Sequence, residues 1–464
     1  MNQFKTFGQS GKIALFLLLI YAITSHNVMV TIAAVIVPFI LLPLLWKKDE
    51  SPFLFLAAML QWSSITIKVF YANLEGINFE EAFEHYNSVY KAYYFGLVGL
   101  IVFAAGIHLI IRRYQLSEQD YETLSLKYDS RKLVPIYLVV TLLYPILSDG
   151  SFMFGGLQQP ISKLADFKWM VFFIFMLSCL YTNQKKLFTL IAVFEIIMSL
   201  TGFFSSFKDY FLVVFGGVLV IYSKDFKLKQ ILPLAALTIT LTYMVIIWSY
   251  IKPTYRAYLS GGQTTQNTVR GTRESLDKLG ELVNDIDQKA VNEGFKITVD
   301  RLSYIDFLSS TLDYVPNVVS HTKGELWWDA ISRVFQPRIF FPNKKAIDDS
   351  ETTSKYSGVR VAGAANATSI SLGYMTENYI DFGIPGMFFG LFAYGLLIGL
   401  VYKYVMTSSP DKLIGTAMII PLFIIIYLFE SALNKLIGAM TMYLIIYELI
   451  RRFGIEKFLK QIQV

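Results

Sequence analysis

The sequence predicts an all-α polytopic membrane protein, and three observations predict it. About a dozen apolar runs approach membrane-crossing length, the composition is 54% hydrophobic and 16% charged, and one long polar stretch interrupts the pattern between Tyr250 and Ile384. A spanning helix needs roughly 20 mostly apolar residues, because backbone groups in hydrocarbon can bond only to each other. The mean hydropathy of +0.48 places the chain outside ordinary soluble composition.

The runs extend, in order, from Lys12 to Ser25, Val28 to Trp46, Pro52 to Ala72, Tyr90 to Ile111, Leu133 to Leu147, Trp169 to Thr182, Leu187 to Phe203, Asp209 to Tyr222, Ile231 to Ile251, Ile384 to Val405, Leu413 to Phe429 and Leu433 to Ile450. About 12 transmembrane helices are thus expected, with a large helical extracytoplasmic loop between spans 9 and 10. The domain reading is a membrane part over 1–252, a loop or cap over 253–383, and a second membrane part with a C-terminal tail over 384–464. The first run is followed at once by a second with no small-residue cleavage pattern, so it is read as a retained helix and not a signal peptide.

Loop charges orient the spans, since Lys and Arg near helix ends stay on the cytoplasmic side. Lys5 and Lys12, Lys47 and Lys48, Arg112 to Lys132, Lys185 and Lys186, Lys224 to Lys229, Lys403 and Lys412, and Arg451 to Lys460 fall on one side. Both termini are therefore expected in the cytoplasm; Lys163 and Lys168 are the exceptions. This topological signal accounts for most of the net charge of +6 without a nucleic-acid partner. The single cysteine, Cys179, lies inside a span, and His26, His85, His108 and His321 lack metal-ligand spacing, so neither a disulfide nor a zinc site is expected. No internal repeat of the kind that builds many carriers is visible, and the division into nine and three spans points toward an enzyme. Inside the spans Lys68, Glu195 and His108 are the clearest ionisable groups, with Glu430, Lys435 and Glu448 nearer the ends. Glu195 reads either as a proton-relay carboxylate or as a hydrogen-bonded buried one.

Helical spacing recurs in the polar segment. Leu276, Leu279, Leu282, Val283, Ile286 and Ala290 predict a helix over Arg273 to Asn292, closed by Gly294 as a C-cap. Leu302, Ile305, Leu308 and Leu312 predict another over Arg301 to Asp313, and Trp327, Trp328, Ile331 and Phe335 a third from Gly324 to before Pro337. Such amphipathic helices suit a cap lying on the membrane face.

The densest chemistry follows, in ISRVFQPRIFFPNKK: Arg333, Arg338, Lys344 and Lys345 alternate with Phe335, Phe340 and Phe341, with no acid among them. Arginine forks bind phosphate oxygens in pairs, and fixed positive charge stabilises a departing pyrophosphate. A basic stripe meeting lipid headgroups is the plainer alternative. Between spans 7 and 8, Ser205, Ser206, Lys208 and Asp209 make an unusually polar external turn. After the loop, Glu377, Tyr379 and Asp381 precede span 10, where a carboxylate can accept a hydroxyl proton or serve as a helix-terminal acid. Asn366 opens a formal glycosylation sequon.

PRIFFPNK, followed by TSISLGYMTENYIDFGIPGMFFGLFAYGLLIG, resembles the C-terminal signature of Wzy-type oligosaccharide repeat-unit polymerases, the O-antigen and capsule polymerases. The likeness in motif covers mainly Gln336 to Gly399; the likeness in layout extends to the whole chain. It implies a GT-C-like fold, both termini in the cytoplasm of the bacterial inner membrane, and a metal-independent glycosyl transfer on the periplasmic face with no cofactor. The implied substrates are an undecaprenyl-pyrophosphate-linked donor and acceptor. Membrane lipids, a chain-length regulator and a flippase are the other implied partners. On this likeness Glu377, Arg338 and Arg360 become the catalytic candidates. Lys208, Asp209, Arg256, Arg333, Lys344, Lys345, Trp327, Trp328 and Tyr379 become substrate-binding candidates, with Lys208 standing where many relatives carry arginine. An O-antigen ligase and a lipid-linked oligosaccharide flippase are the competing readings.

Overall fold

The computed structural model describes residues 9–47, 49–83, 87–113, 119–201, 207–222, 228–263, 268–337, 340–341, 343–344, 347–363 and 369–464. The first part comprises α1 (Gln9–Thr24), α2 (Val28–Leu45), α3 (Phe53–Glu75), α4 (Val89–Ile111), the short α5 (Tyr121–Ser125), α6 (Ser130–Leu147), α7 (Gln158–Ala165), α8 (Lys168–Tyr181), α9 (Lys185–Thr201), α10 (Phe207–Tyr222) and α11 (Leu228–Leu259). The polar segment carries α12 (Thr272–Asn284), α13 (Gln288–Leu302), α14 (Ile305–Tyr314), α15 (Glu325–Val334) and α16 (Asp349–Ser357). Then come α17 (Tyr374–Ser408), α18 (Lys412–Ile426), α19 (Leu433–Leu449) and α20 (Ile455–Ile462). No strand occurs among the described residues; an isolated bridge pairs Tyr128 with Gln463.

All twelve apolar runs are helical, and eight helical stretches are long and apolar enough to cross a membrane. The runs that fall short are α1 with 16 residues, α9 with 17, α10 with 16 and α18 with 15. α8 and α18 are buried almost throughout. Around them Phe53 packs on Phe173 and Phe423, with ring centroids 5.8 and 5.1 Å apart.

The longest interhelical contact joins α4 to α17, and glycines make it possible. A Cβ on Gly395 would lie 2.2 Å from the Phe103 carbonyl oxygen, and one on Gly106 only 2.4 Å from the Phe392 carbonyl oxygen. Gly395 and Gly399 form the small-residue spacing that lets membrane helices approach backbone to backbone. We expect Gly395→Ala to force the helices apart and cost about 1–3 kcal/mol. Its thermal midpoint in detergent should fall, while Gly438→Ala, with nothing within 4 Å of the new methyl, leaves the midpoint unchanged.

α17 is broken once, at Gly383 (φ 61°, ψ −165°), a conformation that essentially requires glycine. The break separates a short buried half, holding Glu377, Asn378 and Asp381, from the long membrane half.

In the cap, the expected helix over Arg273 to Asn292 is two helices. Asp287 starts α13 by accepting a hydrogen bond from the Ala290 amide at 2.7 Å, the usual work of an N-cap aspartate. Gly294 is not a C-cap: it sits inside α13, where a Cβ would meet the Ile246 carbonyl oxygen of α11 at 2.6 Å. The helix expected from Arg301 starts instead at Ile305, because α13 continues through Leu302. The third is found as expected, with Gly324 in the left-handed region ahead of Glu325 (φ 97°).

Candidate functional site

α10, α11 and α13 each bring basic residues to one place at the end of the helix bundle. Lys252 and Arg256, one turn apart on α11, share a helix face. The positive charges of Arg301, Arg256 and Lys208 all act on Lys252, and that of Arg301 acts on Arg256. Like charges gather against their mutual repulsion here. Among the described residues Lys252 and Arg301 form no ion pair. Such a cluster is an anion site in its chemistry, with planar guanidinium forks and point-like ammonium groups side by side.

The neighbouring floor is the turn between α18 and α19. Tyr427 there donates to Asp209 Oδ1 at 3.0 Å, and the Lys208 ammonium lies 5.6 Å from the Tyr427 ring centre. The charges of Glu430, on the same turn, and of Asp166 also act on Tyr427. Lys163 pairs with Asp166 at 2.9 Å. Deeper, Lys168 Nζ contacts Glu195 Oε1 at 2.5 Å, Tyr137 donates to Glu195 Oε2, and both members of the ion pair are buried. Lys163 and Lys168, the two exceptions to the charge rule, are thus bound to carboxylates.

Glu377 lies at the other edge of the same turn. Its Oε2 accepts from the Leu433 amide at 2.6 Å, so this buried carboxylate caps the first turn of α19. Asp381 accepts from Thr322 Oγ1 at 2.5 Å and from the Leu326 and Trp327 amides at 3.1 and 2.9 Å, capping α15 from another helix. Trp327 Nε1 donates to Asn378 Oδ1 at 2.9 Å, and the Tyr379 hydroxyl donates to the Val315 carbonyl at 2.7 Å. Arg333 pairs with Asp329 at 2.7 Å, and Lys344 donates to the Arg333 and Gln336 carbonyls at the end of α15. Trp328 and Arg360 are exposed. Arg338, Lys345, Ser205, Ser206, His85 and Asn366 lie outside the described residues.

Of the sequence candidates, then, Lys208 and Asp209 meet at the α18–α19 turn, and Lys208 and Arg256 both act on Lys252. Glu377, Trp327, Tyr379, Arg333 and Lys344 hold the cap and the turn together. Sequence reasoning passed over Lys252 and Arg301. The four-residue spacing of Lys252 and Arg256 on one helix was the available signal; Arg301 gave none, because only the packing of α13 on α11 brings it there.

Asp300, next to Arg301 in sequence, and Asp306 reach Lys68 of α3 at 3.6 and 2.9 Å, with the ammonium 4.5 Å from the Phe83 ring centre. Burial pushes the Asp306 carboxyl up to about 6, against the opposing pull of Lys68. An acid raised in the folded state contributes stability that is full below its unfolded value near 3.9 and lost as pH rises through the folded value. Amide-exchange protection of α14 should therefore fall by up to about 3 kcal/mol between pH 4 and pH 7. Asp306→Asn, which removes the titrating group, should flatten that dependence.

No curated protein and no solved structure matches the chain. A family model described as a domain of unknown function, DUF8712, matches residues 52–459. That match takes in every helix of the site and most of the chain, so the protein belongs to the DUF8712 family.

Proposed function

We propose that the protein is a glycosyltransferase that joins undecaprenyl-pyrophosphate-linked oligosaccharide units into a surface polysaccharide at the extracytoplasmic face of the bacterial inner membrane. In this reading all twelve apolar helices cross the bilayer in a GT-C-like arrangement, with both termini cytoplasmic. The observation that carries it is the gathering of Lys208, Lys252, Arg256 and Arg301, with Lys208 reaching the Tyr427 ring of the α18–α19 turn.

The acceptor sugar hydroxyl attacks the anomeric carbon of the donor. The bond from that carbon to the pyrophosphate oxygen breaks, and the lipid pyrophosphate leaves with the electron pair. Pyrophosphate is a capable leaving group, so the protein's task is to orient two saccharides and offset charge on the departing oxygens. The four cations supply that field. In this reading Asp209 or Glu430 takes the hydroxyl proton. Glu377 is assigned a positioning role, since it is buried and its Oε2 caps the first turn of α19.

The test supplies purified protein in nanodiscs with undecaprenyl-pyrophosphate-linked repeat units and resolves products by gel. A ladder of lengthening lipid-linked glycans is expected. Transfer only to added lipid A core would replace this reading with a ligase, and absence of both products would turn it toward transport.

A further inference from the structure

A second candidate site lies at the opposite end of α17. Between the last turns of α17 and α19 lies a groove of about 640 Å³, walled by Leu400, Tyr404, Thr441, Leu444, Ile445 and Leu449, with Glu448, Arg452 and Phe453 at its rim. Both helices belong to the membrane-crossing set, and Tyr447 hydrogen-bonds Ser408 at 2.8 Å, so their ends lie at one level. The groove therefore runs from hydrocarbon depth to the headgroup layer. Leu400, Ile445 and Leu449 are about half exposed along it.

The rim is charged. Arg451 spends its Nε and Nη2 on Glu448, at 3.3 and 2.9 Å. Arg452 reaches the same carboxylate through Nε alone, at 2.9 Å, and its side chain is 65% exposed. Its terminal nitrogens make no hydrogen bond among the described residues. Two arginines against one glutamate leave the rim net positive. A π-helical turn over Ile450–Gly454 places this pair just ahead of α20, whose Lys457 and Lys460 add charge beside an apolar face of Ile455, Leu459 and Ile462.

We propose that this groove binds an anionic phospholipid, one acyl chain lying between α17 and α19 and the headgroup phosphate resting on Arg452. The walls are largely apolar, and the one hydroxyl at depth, that of Thr441, is spent on the Ile437 carbonyl, which suits a chain and not a sugar or peptide. A basic pocket between membrane helices at headgroup level suits a phosphate. The site is remote in sequence from the α10–α11–α13 cations and does not depend on the glycosyltransferase reading.

The experiment is native mass spectrometry of the purified full-length protein in neutral detergent, titrated with equal amounts of phosphatidylglycerol and phosphatidylcholine. The expected result is retention of one phosphatidylglycerol with about fivefold preference, the contribution of one arginine near a phosphate. Arg452→Gln should bring the preference to parity, and Ile445→Trp, which fills the groove, should reduce retention of both lipids. Both substitutions are at exposed positions, and an unchanged elution profile verifies the fold. Parity in the wild type, or undiminished phosphatidylglycerol retention in both variants, would overturn the proposal. So would a dimer that either variant dissociates, because a second copy would then fill the groove.

Discussion

If the cluster serves glycosyl transfer as proposed, Arg301→Ala and Lys252→Ala should each lower polymer formation by about a hundredfold or more while leaving the thermal midpoint equal to or above that of the wild type. The rate loss is the usual scale for removing one preorganised group that meets developing charge in a dry site. The stability result follows from the same geometry with the opposite sign. Lys252 is repelled by three cations and compensated by no ion pair among the described residues, so deleting one charge relieves the others. A residue kept for structure would lose activity and stability together; one kept for an anionic substrate trades the second for the first. Arg301→Lys should recover part of the rate, since it restores charge but not the two-pronged fork. The assay is the glycan ladder from lipid-linked units, run beside a melting curve for each variant. Full-length ladders from both alanine variants would remove the cluster from the chemistry.

The membrane part of the fold was legible because its signal is local and large. Each apolar run is long enough that burying the backbone as anything but helix would leave polar groups unpaired, and all twelve are helical. Reading stopped where partners are distant in sequence. Gly294 looked like a helix end because glycine commonly is one, yet it is buried where α13 crosses the backbone of α11. Glu377 looked like a base ahead of a span, yet its partner is an amide 56 residues further along. Trp327, Arg333 and Lys344 fell in the right segment, but their hydrogen bonds go to the protein. The site's cations were half visible: Lys208 from its polar turn, Arg256 only through the family resemblance, Lys252 only from its spacing to Arg256, and Arg301 only from tertiary packing.

The largest expected effect on stability is at Lys168 and Glu195. Lys168→Met leaves the Glu195 carboxylate fully buried with only the Tyr137 hydroxyl beside it, and Glu195→Leu leaves the Lys168 ammonium against the Tyr144 and Trp169 rings, 4.2 and 4.3 Å from their centres. Either single change strands a charge and should cost about 3–5 kcal/mol, whereas the double variant replaces the pair by apolar volume and should recover most of that loss. Melting curves of the two singles and the double, read as a cycle, measure the coupling. The double variant also decides what the pair is for. If it folds and still builds the glycan ladder, the pair is an internal tie between α8 and α9. If it folds and builds none, Glu195 acts on the neighbouring site, where the charges of Lys168 and Asp209 already act on each other, and the cluster of the α18–α19 turn extends one layer deeper into the membrane.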